Sequence, residues 1–486
     1  MSTSLHPVML AGTGSDVGKS MLATALCRIF LQDGYHPSPF KAQNMALNSF
    51  VTPDGLEIGR AQAVQAEAAG IEPSADMNPL LLKPQSDHTS QVVLNGRPIG
   101  NRDAYDYYRS EGREKLRQEV CAAYDRLSSK FNPIVMEGAG SICELNLKDS
   151  DIVNLPMARH AGADVLLVGD IDRGGIFASV YGSIALQNEE DRPLIKGIII
   201  NKFRGDLRLF DEGRLILEEL CHVPVLGVVP FFHDIHIEEE DSVALSAKST
   251  SLMMGKINVA VIMLKYISNY TDFNYLEQDS RIHLFYTNNA EDIVKADIII
   301  VPGSKSTIAD LYELRLSGVA QAILQAHSNG TTVLGICGGY QIMGQYITDP
   351  HHVEGAIENI PGLGLLPVYT TIEKEKTTKR IQTLIDGIPV EGYEIHCGKS
   401  VVINDNITYS DQYTTIADNH TIGTYIHGIL DNPPFVERLL LPFSPKTGQH
   451  SKTFNYKVFK EEQYDKLAAH VRAHIDIDKL YNILTT

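Results

Sequence analysis

The sequence predicts two α/β domains in series, the first a doubly wound fold of mostly parallel strands. Three observations predict this. Short β-rich runs alternate with amphipathic stretches in both halves of the chain, and strand–helix alternation is the pattern of parallel sheets. The alternation breaks between Phe232 and Lys256, where the acidic run Glu238-Glu239-Glu240-Asp241 gives way to Ser, Thr and Lys without periodicity. The chain has 486 residues, enough for two to three domains at roughly 150 residues each.

The elements follow in order. Val8 to Ala11 reads as a buried strand, and residues 12–20 (GTGSDVGKS) as a glycine-rich loop. Met21 to Leu31 is a helix, because Leu22, Ala25, Leu26, Ile29 and Phe30 recur at helical spacing. Further strands are expected at Ile134 to Met136, Val165 to Val168, Ile198 to Ile200 and Val225 to Val228. A new series opens at Ile257 (INVAVIML) and continues at Ile298 to Val301 and Thr332 to Ile336. The expected boundaries are 1–235 for the first domain, 236–251 for a linker, 252–440 for the second domain and 441–486 for a helical C-terminal extension.

Composition narrows the function classes. The formal charge of -18 argues against general binding to nucleic acid or anionic membrane, because phosphate surfaces repel such a chain. Both halves are acidic, so neither is set aside for nucleic acid. The six cysteines, at 27, 121, 143, 221, 337 and 397, include no Cys-x-x-Cys pair, which leaves neither a disulfide framework nor a zinc motif. No apolar run nears the roughly 20 residues of a membrane span, and the first glycine loop is reached too early for a signal peptide. A cytoplasmic enzyme is the expectation.

The loop at 12–20 lies between a strand and a helix. Backbone N–H groups in such a loop, backed by a helix N-terminus, cradle phosphates. Gly12, Thr13 and Gly18 shape it, Lys19 reaches the β- and γ-phosphates, and the Ser20 hydroxyl is a Mg²⁺ ligand. The first Gly falls one residue early and is followed by Thr13. In this the loop resembles dethiobiotin synthetase and its amidoligase relatives, which activate carboxylates with ATP. Other polar groups follow strands, where doubly wound folds present ligands. Glu137 follows in MEGAGS, and Asp170 and Asp172 in GDIDRGG. Mg²⁺ takes one or two carboxylates beside phosphate oxygens, so Glu137 and Asp170 are candidate metal ligands. Asn201, in NKFRGD, either reads the adenine edge or caps a turn.

The second half carries a nucleophile. In VLGICGGYQIMG (333–344) a buried strand meets Cys337 amid Gly335, Gly338 and Gly339. Small neighbours permit the sharp turn of a nucleophile elbow, and the helix N-terminus behind it favours thiolate. The Gly338 N–H is one oxyanion donor, and the VPGS turn with Gly303 is expected to supply the other. The base is His427, 90 residues downstream in GTYIHGILDN. Cys on an elbow with His later in the domain is the arrangement of class I glutamine amidotransferases, which release ammonia from glutamine through a thioester. Those enzymes carry a Glu two residues after the His. Here that position is Ile429, so no orienting acid is expected beside His427, and glutaminase activity without the second substrate should be weak. His396, in GYEIHCG, either lines the site or is structural.

An ATP half joined to a glutaminase half is the plan of an amidoligase. KAQNMALNS (41–49), EIGRAQAVQAEAAG (57–70), MNPLLLKP (77–84), MEGAGS (136–141), DIDRGGIFAS (170–179), NKFRGD (201–206), PGSKSTIADL (302–311) and GICGGYQIMG (335–344) closely resemble the cobyric acid synthase family. GYEIHCG and GTYIHG extend the likeness, which runs from about residue 7 to about 430. It implies amidation of the b, d, e and g carboxylates of adenosylcobyrinic acid a,c-diamide, a corrinoid, with one ATP and one glutamine consumed each time. It also implies that Lys41 joins Lys19 in stabilising the phosphoryl group, and that Arg60, Lys83 and Arg173 meet the peripheral carboxylates of the corrinoid. A homo-oligomer is compatible with it. Three other readings stay open: cobyrinic acid a,c-diamide synthase, which the first segments argue against; a P-loop switch protein without catalysis, which the Cys337 elbow argues against; and a degenerate scaffold without activity, which Lys19, Cys337 and His427 argue against.

Overall fold

A computed structural model describes residues 4–85, 89–103, 113–238, 252–404, 407–443 and 454–485. Residues 239–251, most of the expected linker, lie outside the described residues. The first sheet has six parallel strands. They are β1 (Val8–Gly12), β2 (Ser38–Phe40), β3 (Ile134–Glu137), β4 (Asp164–Asp170), β5 (Ile195–Phe203) and β6 (Val225–Pro230), ordered β6-β5-β4-β1-β3-β2. Each strand is almost wholly buried, because helices cover both faces. The helix α1 (Lys19–Gln32) follows β1, and α2 (Arg60–Ala68) lies beside it. Every strand expected in this half is present and longer than expected, most of all β5, which runs over Ile195–Phe203 where Ile198 to Ile200 was expected. The short strand β2 was not expected, nor was a smaller four-stranded sheet from 43–45, 80–84, 89–94 and 97–103.

The second sheet has seven strands. They are β7 (Ile257–Ile262), β8 (Ile282–Thr287), β9 (Ile298–Val301), β10 (Thr332–Ile336), β11 (Tyr409–Ser410), β12 (Thr414–Asp418) and β13 (Thr421–Thr424), ordered β8-β7-β9-β10-β13-β12-β11. Its first five strands are parallel and the last two antiparallel. The helices α3 (Thr307–Leu316) and α4 (Gly338–Met343) follow β9 and β10. A long hairpin of 368–385 and 388–402 leans on the first half. There Lys376 meets Glu57, the Thr378 hydroxyl donates to the Gly55 carbonyl and Arg380 donates to that of Val51.

The C-terminal helices α5 (Tyr456–His474) and α6 (Ile477–Thr485) return to the first half. Leu467, Ala468, Val471, Leu480 and Leu484 share one core with Leu22, Leu26, Phe30 and Val229. The chain passes so close to β6 that a Cβ on Gly227 would lie 2.0 Å from the His474 carbonyl oxygen. The C-terminal extension is therefore a packed part of the first domain's core. Among the described residues, no helix is long and apolar enough to cross a membrane.

Candidate active sites

The loop between β1 and α1 is shaped by close contacts. Gly18 has φ +96°, and a Cβ there would fall 2.1 Å from Asn201 Nδ2, so both conformation and space require glycine. Asn201, at the end of β5, donates through Nδ2 to the Val17 carbonyl at 2.9 Å. It thus braces the loop, and its buried Oδ1 has no partner among the described residues. Thr13 N donates to the Val168 carbonyl at 3.0 Å. At Gly12 a Cβ would meet Lys19 Nζ at 2.7 Å. Lys19 Nζ donates to the carbonyls of Gly14 and Gly140 at 3.0 Å, which holds its ammonium inside the loop.

Glu137, at the end of β3, is the centre of this site. Its Oε1 accepts from Ser20 Oγ at 2.8 Å and Lys41 Nζ at 2.9 Å, and its Oε2 accepts from Gln65 Nε2 at 2.7 Å. Burial alone would raise its pKa, but Lys41 and the other donors hold it below the ordinary carboxylate value. Glu137 is therefore ionised, and with the Ser20 hydroxyl beside it forms a hard oxygen pair. That donor set fits Mg²⁺, which prefers oxygen ligands. Asp170 faces other partners. Its carboxylate accepts from Asp172 N at 2.9 Å and pairs with Lys202 at 3.1 Å and Arg173 at 3.8 Å.

The second site forms at the end of β10. Cys337 has φ 53° and ψ -108°, a sparsely populated conformation of the kind stored at functional sites. The tight turn depends on its neighbours. A Cβ on Gly339 would lie 1.8 Å from the Val301 carbonyl oxygen, and one on Gly338 would lie 2.7 Å from Ser304 N. The short strand Gly303–Ser304, paired with Ile267–Ser268, thus packs directly on the first residues of α4, where helical N–H groups lack intrahelical partners. His427 lines the same pocket as Cys337 and interacts with it.

The orienting acid of His427 is present, contrary to the expectation from its sequence neighbours. Asp272, from the 3₁₀ turn at Tyr270–Phe273, accepts from His427 Nδ1 at 2.7 Å and from Gly428 N at 2.9 Å. Tyr393 stacks on the His427 ring, with centroids 5.3 Å apart, and its hydroxyl donates to the Ser49 carbonyl of the first half at 3.0 Å. Burial pushes the His427 pKa down, but Asp272 and Cys337 outweigh it and lift the value to about 10. The ring is therefore protonated at neutral pH. His396 lines the pocket too, bonded to the Gly398 carbonyl at 2.7 Å and stacked on Tyr425.

The three basic residues expected near the corrinoid part company. Lys83 is buried in the Cys337 pocket, bonded to Ser49 Oγ at 2.6 Å and Glu57 at 2.8 Å. Arg60 pairs with Glu238 at 2.5 Å and lines a cavity of about 450 Å³ between the halves, beside Asp272 and Tyr393. Arg173 stands exposed at the mouth of the phosphate loop, 3.5 Å from Asp16.

Both halves of the chain match known protein families. Residues 8–243 match the family model described as "CobQ/CobB/MinD/ParA nucleotide binding domain". Residues 258–435 match "CobB/CobQ-like glutamine amidotransferase domain". A "Cobyric acid synthase" of Bacteroides fragilis is 64% identical over 494 residues, covering 100% of this chain and 99% of its own. One from Phocaeicola vulgatus is 61% identical at the same coverage. One from Salmonella agona is 46% identical, covering 98% of both chains.

Proposed function

The chain belongs to the cobyric acid synthase family, and from that premise we propose its reaction. It amidates the b, d, e and g carboxylates of adenosylcobyrinic acid a,c-diamide in cobalamin synthesis, using ATP and glutamine. The observation that carries this reading is the pairing, in one chain, of a phosphate loop facing an ionised Glu137 with a Cys337–His427–Asp272 elbow.

In the first site the loop N–H groups hold the ATP phosphates. A corrinoid carboxylate oxygen attacks the γ-phosphorus, the bond to ADP breaks, and an acyl phosphate forms. Lys19 stabilises charge on the phosphoryl oxygens, while Lys41 keeps Glu137 ionised. Ser20 and Glu137 would hold Mg²⁺, which supplies further charge neutralisation when bound.

In the second site Cys337 Sγ attacks the carboxamide carbon of glutamine. The Gly338 N–H, with the Gly303 turn against it, stabilises the oxyanion. Protonated His427 gives its proton to the departing nitrogen, ammonia leaves, and a thioester remains. His427 then draws a proton from water, which hydrolyses the thioester to glutamate and frees the Cys337 sulfur as thiolate beside the reprotonated ring. Asp272 keeps the ring oriented throughout. Ammonia attacks the acyl phosphate carbon and phosphate leaves. The domains meet through buried contacts from Ser49 to Tyr393 and Asn269, which supports a shielded route between them.

The test is incubation with adenosylcobyrinic acid a,c-diamide, ATP, Mg²⁺ and glutamine, with product masses followed over time. Four added amides are expected. Failure to amidate that corrinoid, with two amides added to cobyrinic acid instead, would assign the chain to cobyrinic acid a,c-diamide synthase.

A further inference from the structure

The pocket around Cys337 holds more charge than the thiol chemistry uses. Three ammonium groups, of Lys83, Lys305 and Lys376, share it with the Glu354 carboxylate, and Glu57 stands against them. Glu57 is consumed locally: its Oε1 takes Lys83 at 2.8 Å and its Oε2 takes Lys376. Lys305 is left over. Its bonded partner is the neutral Gln91 Oε1 at 3.2 Å, and no carboxylate pairs with it among the described residues. Glu354 is left over in the opposite sense. Its Oε2 accepts from Ile308 N, in the first turn of α3, at 3.0 Å, and no cation pairs with it among the described residues.

Unpaired charges are costly to bury. The electrostatic surroundings follow from the geometry. Burial, then Lys376, pushes Lys305 below its ordinary value, and burial lifts Glu354 to about 7 despite its backbone bond and Lys305. One unpartnered cation and one unpartnered anion beside a nucleophile are the complement of a zwitterion.

We propose that Lys305 and Glu354 form a clamp for the free α-amino acid end of glutamine, Lys305 taking the α-carboxylate and Glu354 the α-ammonium. The clamp rests on the glutamine-hydrolysing function proposed above, and adds how the pocket selects a free amino acid over other carboxamides. It is completed across the domain boundary. Gln91 of the first domain aims Lys305, and Glu57 of the first domain draws both Lys83 and Lys376 onto its carboxylate, so that Lys305 is the ammonium in the pocket with no carboxylate bonded to it among the described residues.

The test uses two analogues on the full-length enzyme. Glutamine α-amide keeps the ammonium but has no carboxylate charge, and glutaramate keeps the carboxylate but lacks the ammonium. Ammonia release by the unaltered enzyme should have kcat/KM on the order of 100-fold lower with each analogue than with glutamine, the scale of a lost charge-assisted bond. Lys305→Met should erase the preference for glutamine over its α-amide and keep the preference over glutaramate. Glu354→Gln, which preserves the side chain's length and its bond from Ile308 N, should do the reverse. A general structural lesion would lower all three rates together and leave both ratios unchanged. The clamp is overturned if the unaltered enzyme takes glutamine but accepts both analogues equally well, a result that needs no variant. It is also overturned if both variants keep the original ratios. If the unaltered enzyme takes no glutamine yet makes product from ammonium chloride, the glutamine-dependent function itself is what fails.

Discussion

The two sites handle charge in opposite ways. Around the phosphate loop, Glu137 is surrounded by Ser20, Lys41 and Gln65, so its charge is compensated before any ligand arrives. In the Cys337 pocket, Lys305 and Glu354 stand without ionic partners, and the balance depends on side chains from the other domain. The first site is assembled within one domain. The second is completed only when the domains are docked. The difference teaches that the synthetase half should work alone on free ammonia, while the glutaminase half should depend on its neighbour.

The largest effects test that separation. Lys19→Ala should lower synthesis by about 10³-fold or more with either nitrogen donor, because in the proposed mechanism it removes the cation that stabilises the phosphoryl group. Cys337→Ala should lower glutamine-dependent synthesis by a similar or larger factor and retain synthesis from ammonium chloride. Product assays with both donors check the pair. If Cys337→Ala also lost the ammonium-supported reaction, the two halves would not be separable. Product formed by Cys337→Ala from glutamine alone would remove this site from the reaction.

Asp272→Asn comes next. Losing the acid that orients His427 should cost about 10²- to 10⁴-fold in glutamine-dependent kcat, with ammonium-dependent synthesis much less affected. A pH dependence of stability accompanies it. His427 binds its proton more tightly in the folded state, at about 10 against an ordinary 6.5, since Asp272 and Cys337 outweigh burial. The stability this contributes is fully present below pH 6.5 and is lost as pH rises through about 10. The stability gap between the unaltered enzyme and Asp272→Asn should therefore narrow over that window in denaturant unfolding. A gap constant across it would mean that Asp272 does not hold the proton on His427.

These residues also mark what could be read in sequence. Gly12 to Ser20 were legible because the loop is contiguous and its chemistry is local. Cys337 was legible because its glycines are forced by backbone contacts with Val301 and Ser304. Asp272 was not, since it stands 155 residues before His427 in a short turn without a motif. Its one signal was a lone acid just after the strand that opens the second domain. Lys305 and Glu354 were missed for the same reason, because a charge is informative only once its partners are known to be absent. Most of the parallel strands were legible as continuous apolar runs, whereas β2, β8 and β13 (SPF, IHLFYT and TIGT) were not, because polar residues and Pro interrupt them. The long hairpin was not, because its exposed face is charged. The helices at 456–485 were recognised as helical, but their partners Leu22, Phe30 and Val229 lie more than 200 residues away.

Smaller effects separate structure from substrate contact. Lys41→Met strips the partner from a buried carboxylate, since Lys41 and Glu137 have 8% and 1% of their side chains exposed. It should destabilise the first domain by about 3–5 kcal/mol, read as a lower denaturant midpoint. A loss below about 1 kcal/mol would show that Ser20 and Gln65 suffice to hold the charge.

Arg173→Ala should have the smallest effect on stability and be the more informative for it. Its side chain is 67% exposed and its 3.5 Å pair with Asp16 is 53% exposed on the other side, so screening leaves that pair worth less than about 1 kcal/mol. A cation kept in solvent at the rim of the phosphate loop contributes little to folding, so a loss of synthesis there reports on the ligand. If Arg173 meets a corrinoid carboxylate, Arg173→Ala should raise the KM for the corrinoid and leave the unfolding midpoint and the glutamine-dependent ammonia release unchanged. Lys83 and Arg60 cannot be tested so cleanly, because each is already tied to a buried carboxylate, Glu57 or Glu238. An unchanged KM for Arg173→Ala would remove Arg173 as a substrate contact and would move the corrinoid contact elsewhere.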